Sequence, residues 1–299
     1  MRYPYMFAAL TAGCLWGLIG VFSRLLGGFG FSPLQIVICR SGTAAVLFFL
    51  SIVIRDVRLL RFKLKDIWCF LGAGMLGMLF FSVCYFTAVE LIGIPTAAIL
   101  QYTSPAIIAI LSMFVFHEKL TAWRILAVAL SFSGCCVISL AGGSLSFSLL
   151  GLLCGLGAGV GYALQSIFAS IAVRKGYTSL TVNFYISLFA AAGAMLLDRG
   201  QIAELPQLPA KAFLLVVAAG SIASFLPSWL YVKSLSAMEA SRASVMASTE
   251  PIAATAFGVV FFNDPLRFPI IIGAVFILAA VAISAHPDLH PPLDKHPPA

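Results

Sequence analysis

Thr103–Ser104–Pro105 recurs 146 positions later as Thr249–Glu250–Pro251. Residues 1–140, moved forward by that distance without a gap, align with the second half of the chain. Further matches pair residues of similar kind: Trp16 with Tyr162, Phe22 with Phe168, Gly74 with Gly220, Tyr85 with Tyr231, Ala97 with Ala243 and Glu118 with Asp264. The chain therefore contains two copies of one unit, and this repeat decides the fold.

The composition indicates that lipid surrounds most of the chain. Of the 299 residues, 61% are hydrophobic and only 10% are charged, whereas soluble domains carry roughly 25% charged residues. Lipid is the solvent that tolerates so much apolar surface. The seven cysteines lie in apolar stretches without a C-x-x-C pair, so we interpret them as small buried hydrophobes rather than disulfides or metal ligands. We expect no cofactor.

Charge-sparse stretches long enough to cross a membrane occur five times in each copy. A crossing helix needs about 20 apolar residues. We place the spans near 5–26, 33–54, 67–89, 94–116, 122–141, 148–172, 178–197, 212–233, 240–262 and 268–285. Because five is odd, the second copy must enter the membrane upside down. The sequence thus predicts an all-α integral membrane protein with ten transmembrane helices arranged as two inverted five-helix repeats.

The domain organisation follows from the same pattern. We expect a first repeat over 1–143, a second over 144–285, and a disordered Pro-rich cytoplasmic tail over 286–299. Paired glycines at 142–143 provide the turn between the repeats. The three tail histidines have the spacing of no standard metal site, so no metal is expected there.

The positions of the basic residues predict the orientation. With ten spans, one side collects 13 Lys and Arg and the other collects 4, with Arg40 left inside a span. The positive-inside rule then places both termini in the cytoplasm, most simply across a bacterial inner membrane. This asymmetry accounts for the net charge of +7 without a nucleic-acid partner. The basic loop 55–65 could also touch anionic lipid headgroups. The apolar run after Tyr3 is too long for a signal peptide and predicts a first span instead.

Two ionisable residues are predicted to lie inside the membrane, where a charge is costly unless it faces a cavity or a partner. Glu250 lies roughly 15 Å into span nine, near the midplane. It could bind a cationic substrate group or carry a coupling proton, or it could hold span nine to a neighbouring helix. Its repeat partner is Ser104. Arg40 is interpreted as a structural charge that satisfies helix-end carbonyls or extends toward the surface.

Two prolines and a set of aromatic and amide residues complete the candidate site. Pro105 and Pro251 occupy equivalent places in spans four and nine, so they mark either hinges at a substrate site or packing kinks. Side chains with an apolar body and a polar tip suit partly apolar organic ligands. The candidates for lining a pathway are Trp16, Tyr85, Gln101, Tyr102, Tyr162, Gln165 and Trp229. Anchoring at the membrane interface is the alternative for aromatic residues near span ends.

The doubled five-span unit and its two proline stretches resemble the drug/metabolite transporter superfamily, in its EamA-type branch. The resemblance covers about residues 5–285. One stretch is Gln101-Tyr-Thr-Ser-Pro105, ending in Phe116-His-Glu118-Lys-Leu120; the other is Ser248-Thr-Glu-Pro251, ending in Phe262-Asn-Asp264-Pro-Leu266. The resemblance implies ten helices with both termini inside, and a central cavity surrounded by helices one, three, four, six, eight and nine. The chain departs from the family where Pro265 follows Asp264, and we expect Glu118 and Asp264 to cap helix ends and loops.

These observations favour a secondary active transporter that moves small organic metabolites by alternating access. The resemblance implies the export of amino acids or related solutes. A P-loop is not found, so either a gradient supplies the energy, with a proton as one candidate coupling ion, or transport is facilitated. A membrane scaffold or receptor is the alternative, although little extramembrane surface is available for partners. An intramembrane enzyme would need paired acids, a zinc motif or a Ser–His dyad at membrane depth. Assembly as a homodimer stays open.

Overall fold

The computed structural model describes residues 3–118, 120–141, 148–199 and 209–286, and this part of the chain is helical without a β-strand. The turn expected at 142–144 and the tail from residue 287 lie outside the described residues. The helices are α1 Tyr3–Trp16, α2 Leu18–Gly27, α3 Pro33–Arg55, α4 Ile67–Leu71, α5 Phe80–Gln101, α6 Ser104–Phe116, α7 Ala122–Ala141, α8 Leu149–Arg174, α9 Ser179–Leu197, α10 Ala210–Gly220, α11 Leu226–Ser234, α12 Ala240–Ala247, α13 Glu250–Phe262 and α14 Phe268–Ala285. Two π-helical segments, Gly72–Leu79 and Ser221–Phe225, interrupt the third and eighth spans at overlapping repeat positions.

The described helices supply the ten predicted crossings. Nine helical stretches are long and apolar enough to span a membrane, and Ser104–Phe116 is a shorter apolar helix. The longest stretch, Leu64–Gln101, turns at Gly93, whose φ of 76° and ψ of 160° are non-helical. Glycine adopts such a conformation without steric cost. The part beyond Gly93 continues toward α6, so these residues form the third crossing and the start of the fourth.

Spans four and nine are both broken, and at equivalent positions. In span four, α5 ends at Gln101 and α6 begins at Ser104; in span nine, α12 ends at Ala247 and α13 begins at Glu250. Pro105 and Pro251 are each the second residue of the later half-helix, where the missing N–H of proline costs no helical hydrogen bond. The prolines therefore start new half-helices rather than kink continuous ones.

Each broken span is covered by the first helix of the opposite repeat. A Cβ on Gly13 of α1 would collide with the carbonyl oxygen of Ala247 and with Thr249. A Cβ on its repeat partner, Gly159 of α8, would lie 2.5 Å from Oγ1 of Thr103. Small residues of this kind let helix backbones approach closely in lipid. The two repeats therefore interlock reciprocally around the breaks.

Spans five and ten meet through a second glycine contact, which yields a test of helix packing. A Cβ on Gly134 of α7 would lie 2.6 Å from the carbonyl oxygen of Gly273, and the reverse holds at the same distance. We expect Gly134→Leu and Gly273→Leu each to lower the free energy of unfolding by about 1–3 kcal/mol. The reason is that the backbone of the facing helix would have to move to make room for the new side chain. Thermal unfolding in detergent measures this. Gly42→Leu is the matched control, since a Cβ there meets no atom within 4 Å; equal melting temperatures for all three variants would contradict the packing.

Candidate functional site

A cavity lies where the two broken spans meet α8. Its volume is about 10 Å³, and it is lined by Gln101, Tyr102, Ser104, Pro105, Tyr162, Ser244, Ala247, Ser248 and Glu250. Such a volume holds about one water molecule, whereas small-molecule sites usually measure about 300–1,000 Å³, so this conformation has no room for a metabolite. The lining combines hydroxyl, amide, aromatic and carboxylate groups from both repeats.

Five residues selected from the sequence converge on this cavity. Gln101, Tyr102 and Pro105 come from span four, Tyr162 from α8, and Glu250 from the start of α13. Sequence reasoning missed the contribution of Ser104, Ser244, Ala247 and Ser248. The repeat itself carried a signal for some of them, because Ser104 aligns with Glu250 and Ser248 aligns with Tyr102.

Trp16 and Tyr85 belong to an aromatic cluster that adjoins the lining residues. The ring of Trp16 lies edge-on to Tyr162, with centroids 6.2 Å apart, and 5.2 Å from Tyr231. Tyr85 stacks on Phe81 at 5.9 Å, and Phe81 in turn contacts the Tyr162 ring. Tyr85 also lies within electrostatic range of Glu250. Both residues therefore support the cavity wall.

Gln165 and Trp229 occupy other places in the described fold. The backbone of Gln165 packs against Gly77 in the π-helical segment of span three. Trp229 packs with Phe48 and the apolar residues around it, and the Lys233 ammonium lies 4.8 Å from its ring centroid. Of the residues that the structure describes, the set lining the cavity does not include these two.

Glu250 is the acidic residue of the cavity, and Arg40 is its charged neighbour. Glu250 is the first residue of α13, where the positive end of the helix dipole favours a carboxylate. The Arg40 guanidinium, on α3, interacts electrostatically with this carboxylate. No ion pair within 4.0 Å joins these two charges in the described residues, so a gap separates them, and Arg40 is not among the residues that line the cavity. No group of three or more His, Cys, Asp and Glu in the described chain could hold a metal ion.

Four charged residues, of which Glu118, Arg124 and Glu239 are buried, form an ion network at one end of the bundle. Arg174, at the end of α8, donates to Glu118 Oε1 at 2.8 Å. Arg124 of α7 lies 3.8 Å from Glu118 Oε2 and donates to Glu239. Glu118 was expected to cap a helix end, but its side chain instead joins the two repeats through these arginines. Burial raises the pKa of Glu118 to about 7, and the Glu239 charge adds to this, while Arg174 and Arg124 oppose it.

With this geometry in view, comparison with known proteins identifies the family. A sequence profile of the EamA-like transporter family matches the chain twice, at residues 4–140 and 149–285. The chain belongs to the EamA-like transporter family. It is therefore an integral membrane transporter, and its two profile matches agree with the inverted repeat.

Similar proteins support this membership. An uncharacterized transporter from Archaeoglobus fulgidus is 26% identical to this EamA-like chain over 291 residues, which are 95% of the chain and 97% of that relative. The uncharacterized transporter YetK from Bacillus subtilis is 22% identical over 243 residues, covering 77% of the chain and 73% of YetK. A solved structure titled only as a crystal structure of a protein superposes with a TM-score of 0.78 at 18% identity, covering 95% of this chain and 98% of that one. At that identity the likeness establishes the fold alone.

The electrostatic link between Arg40 and Glu250 in this EamA-like transporter can be measured as a coupling. We expect Arg40→Ala to lower thermal stability, because the Glu250 carboxylate loses its charged neighbour. In the Arg40→Ala, Glu250→Gln double variant, part of that loss should return, with a coupling energy of about 0.5–3 kcal/mol. A double-mutant cycle of unfolding in detergent measures it. Replacing Arg40→Ala with Lys211→Ala, an exposed residue, should give additive effects; additivity in both cycles would refute the coupling.

The raised pKa of Glu118 predicts a pH dependence of stability. The pKa of a free glutamate is about 4.3. Between that pH and about 7, Glu118 therefore retains a proton in the folded protein that it has released in the unfolded chain. The contribution of this site to stability is therefore full below the unfolded pKa and declines as the pH rises through about 7. Melting temperatures at several pH values should show a smaller decline in Glu118→Gln than in the wild type. Glu90→Gln, which removes an exposed carboxylate, should keep the wild-type decline; an unchanged decline in Glu118→Gln would contradict the assignment.

Proposed function

We propose that this protein is a secondary active transporter that exports small organic metabolites, amino acids or related solutes among them, by alternating access. One observation carries the proposal. Spans four and nine are broken at equivalent positions of the two inverted repeats, and the cavity lies at these two breaks. Side chains from both repeats line it. Transporters with inverted repeats place substrate at such discontinuous helices near the midplane.

The chemistry of the cavity favours a substrate with an amino group and an apolar part. The Glu250 carboxylate would bind an ammonium group, and charge-assisted hydrogen bonds of this kind are strong. Tyr102 and Tyr162 offer apolar ring faces beside it, together with hydroxyl groups for orientation. The Arg40 guanidinium, separated from Glu250 by a gap, would attract the carboxylate of a zwitterion. An amino acid carries all three features.

Energy for transport would come from an ion gradient. The sequence contains no P-loop, and Glu250 is a carboxyl that could carry a coupling proton. In that mode, proton and substrate compete for one carboxylate, which links their movements. The gap between Glu250 and Arg40 favours the substrate-binding mode, because a carboxylate whose cation is held at a distance retains free oxygen atoms for a ligand.

The orientation belongs to the same proposal. The majority of the basic residues mark the cytoplasmic side, with both termini there, and a bacterial inner membrane is the expected location. Single cysteines at positions 58 and 211 should react with an impermeant thiol reagent from opposite sides of intact cells. Reaction of both from one side would overturn the topology.

Purified protein in proteoliposomes provides the decisive experiment. A panel of amino acids, nucleobases, sugars and aromatic cations is first screened by thermal shift, since a ligand of the native state raises the melting temperature. Compounds that shift it are then tested for flux in both directions, with and without an imposed proton gradient. Flux of at least one compound supports the proposal. Absence of any flux across the panel in both directions counts against it.

Glu250→Gln tests the role of the carboxylate directly. We expect this variant to fold normally and to lose at least about tenfold in transport rate for a cationic or zwitterionic substrate, because a neutral amide forms a weaker bond to ammonium. The pH dependence of flux should flatten as well. Glu90→Gln serves as the control, since Glu90 is an exposed carboxylate. Wild-type flux with wild-type pH dependence in Glu250→Gln would disprove the assignment.

A further inference from the structure

The ends of the two half-helices form a matched pair of contacts. α6 ends at Phe116, followed by His117 and Glu118; α13 ends at Phe262, followed by Asn263 and Asp264. The alignment of the repeats pairs these residues one for one. His117 and Asn263 have the same left-handed backbone conformation, with φ of 55° in both. This conformation ends each half-helix and changes the direction of the chain just before the acidic residue.

Each acidic residue forms an ion pair with an arginine from the opposite repeat. Asp264 binds Arg24, near the end of α2, with an N–O distance of 2.9 Å. Glu118 binds Arg174, at the end of α8, at 2.8 Å. The guanidinium also lies over the aromatic ring that precedes the acid in both cases, 4.8 Å from the Phe262 centroid for Arg24 and 3.8 Å from the Phe116 centroid for Arg174. The same three-part contact therefore occurs twice.

The two ion pairs lie on opposite faces of the membrane. Between Arg24 and Arg174 the chain crosses five times, through spans two to six, and five crossings lead to the other side. Each half-helix connects the cavity to one of the pairs. α6 begins at the cavity-lining Ser104 and α13 at Glu250. Each has 13 residues, and a helix of this length extends roughly 20 Å.

We propose that the Arg24–Asp264 and Arg174–Glu118 ion pairs are the two gates of the transport cycle, which open one at a time while the half-helices α13 and α6 transmit the state of the cavity to them. This inference rests on the proposed alternating-access function. Both gates join the repeats across the surfaces that must separate when the cavity opens to one side. Both are formed in this structure, and the small cavity between them has no room for a metabolite.

The two gates differ in strength, which gives the cycle a preferred resting state. The Arg24 and Asp264 side chains are 56% and 41% exposed, so water and salt screen this pair. The Glu118 side chain is only 5% exposed, and Arg124 and Glu239 extend the pair into the ion network. We therefore expect the gate at the Arg24 face to open more readily than the gate at the Arg174 face.

Thiol labelling from each face measures the gates without a substrate. Ser104→Cys provides a near-isosteric reporter in the cavity, in a variant whose seven native cysteines are replaced. An impermeant reagent is added to one side of sealed vesicles of known orientation. Arg24→Gln should raise the labelling rate from the Arg24 face by about two- to fivefold, the effect expected of a partly exposed ion pair, and should lower the rate from the Arg174 face.

Arg174→Gln should act in the opposite direction, and by about tenfold or more, because it breaks a pair whose acid is buried. The charge-exchanged variant Arg24→Asp, Asp264→Arg should restore the wild-type labelling rates. Arg174→Gln combined with Glu118→Gln keeps the test valid if the single variant folds poorly, since it leaves no unpaired carboxylate at position 118. Lys211→Gln on the Arg24 face and Lys233→Gln on the Arg174 face change exposed side chains outside the two pairs and are the matched controls, so both should leave the rates unchanged.

Two results would overturn the gate assignment. One is an unchanged labelling rate in Arg24→Gln and Arg174→Gln, and the other is an equal rise from both faces, which would indicate general loosening. Flux of an identified substrate in the wild type separates this inference from the function on which it rests. Unchanged labelling rates together with normal substrate flux would refute the gate assignment but not transport. Opposite shifts in the labelling rates without any flux would refute transport but support the role of the two ion pairs in closing the cavity.

Discussion

Hydrocarbon offers no hydrogen-bond partner to a peptide group, and the architecture of this protein follows from that constraint. Each unsatisfied backbone group in lipid costs several kcal/mol, so the chain crosses as helices. Among the described residues, spans four and nine depart from this rule at the breaks after Gln101 and after Ala247. They persist because glycines on α8 and α1 bring a covering helix into contact with them. Irregular backbone at membrane depth thus lies against protein and lines a cavity.

Much of this arrangement could be predicted from the sequence, because the repeat and the apolar runs have direct physical meanings. The ten crossings and their inversion followed from counting. Gln101, Tyr102, Tyr162 and Glu250, which line the cavity, were selected because a polar group deep in an apolar span needs a reason to be there. The break itself was not predicted: proline indicated a disturbed helix, but only the structure shows that the preceding helix ends at Gln101 and at Ala247.

The positions that the sequence did not predict have an equally physical cause. Gln165 and Trp229 have the right side-chain chemistry and depth, but the direction in which a helical residue points depends on packing, which spacing alone does not define. Gln165 packs at Gly77 and Trp229 packs beside Phe48. The ion pairs of Glu118 and Asp264 were also beyond sequence reasoning, since their arginine partners lie 56 and 240 residues away along the chain. Arg24 aligns with Ser170, one helical turn before Arg174, so the alignment of the repeats did not pair them.

The interlocking of the repeats has a consequence for how the protein is made. The first repeat contains a broken span whose cover, Gly159 on α8, belongs to the second repeat, and the span broken after Ala247 is covered by Gly13 on α1. During synthesis, the residues around Thr103 are therefore expected to remain uncovered until the sixth span, α8, is inserted. A single five-helix copy would need an oppositely inserted twin to shield the same peptide groups. We therefore expect the two halves to complete their packing together, once both covering helices and both broken spans are in the membrane.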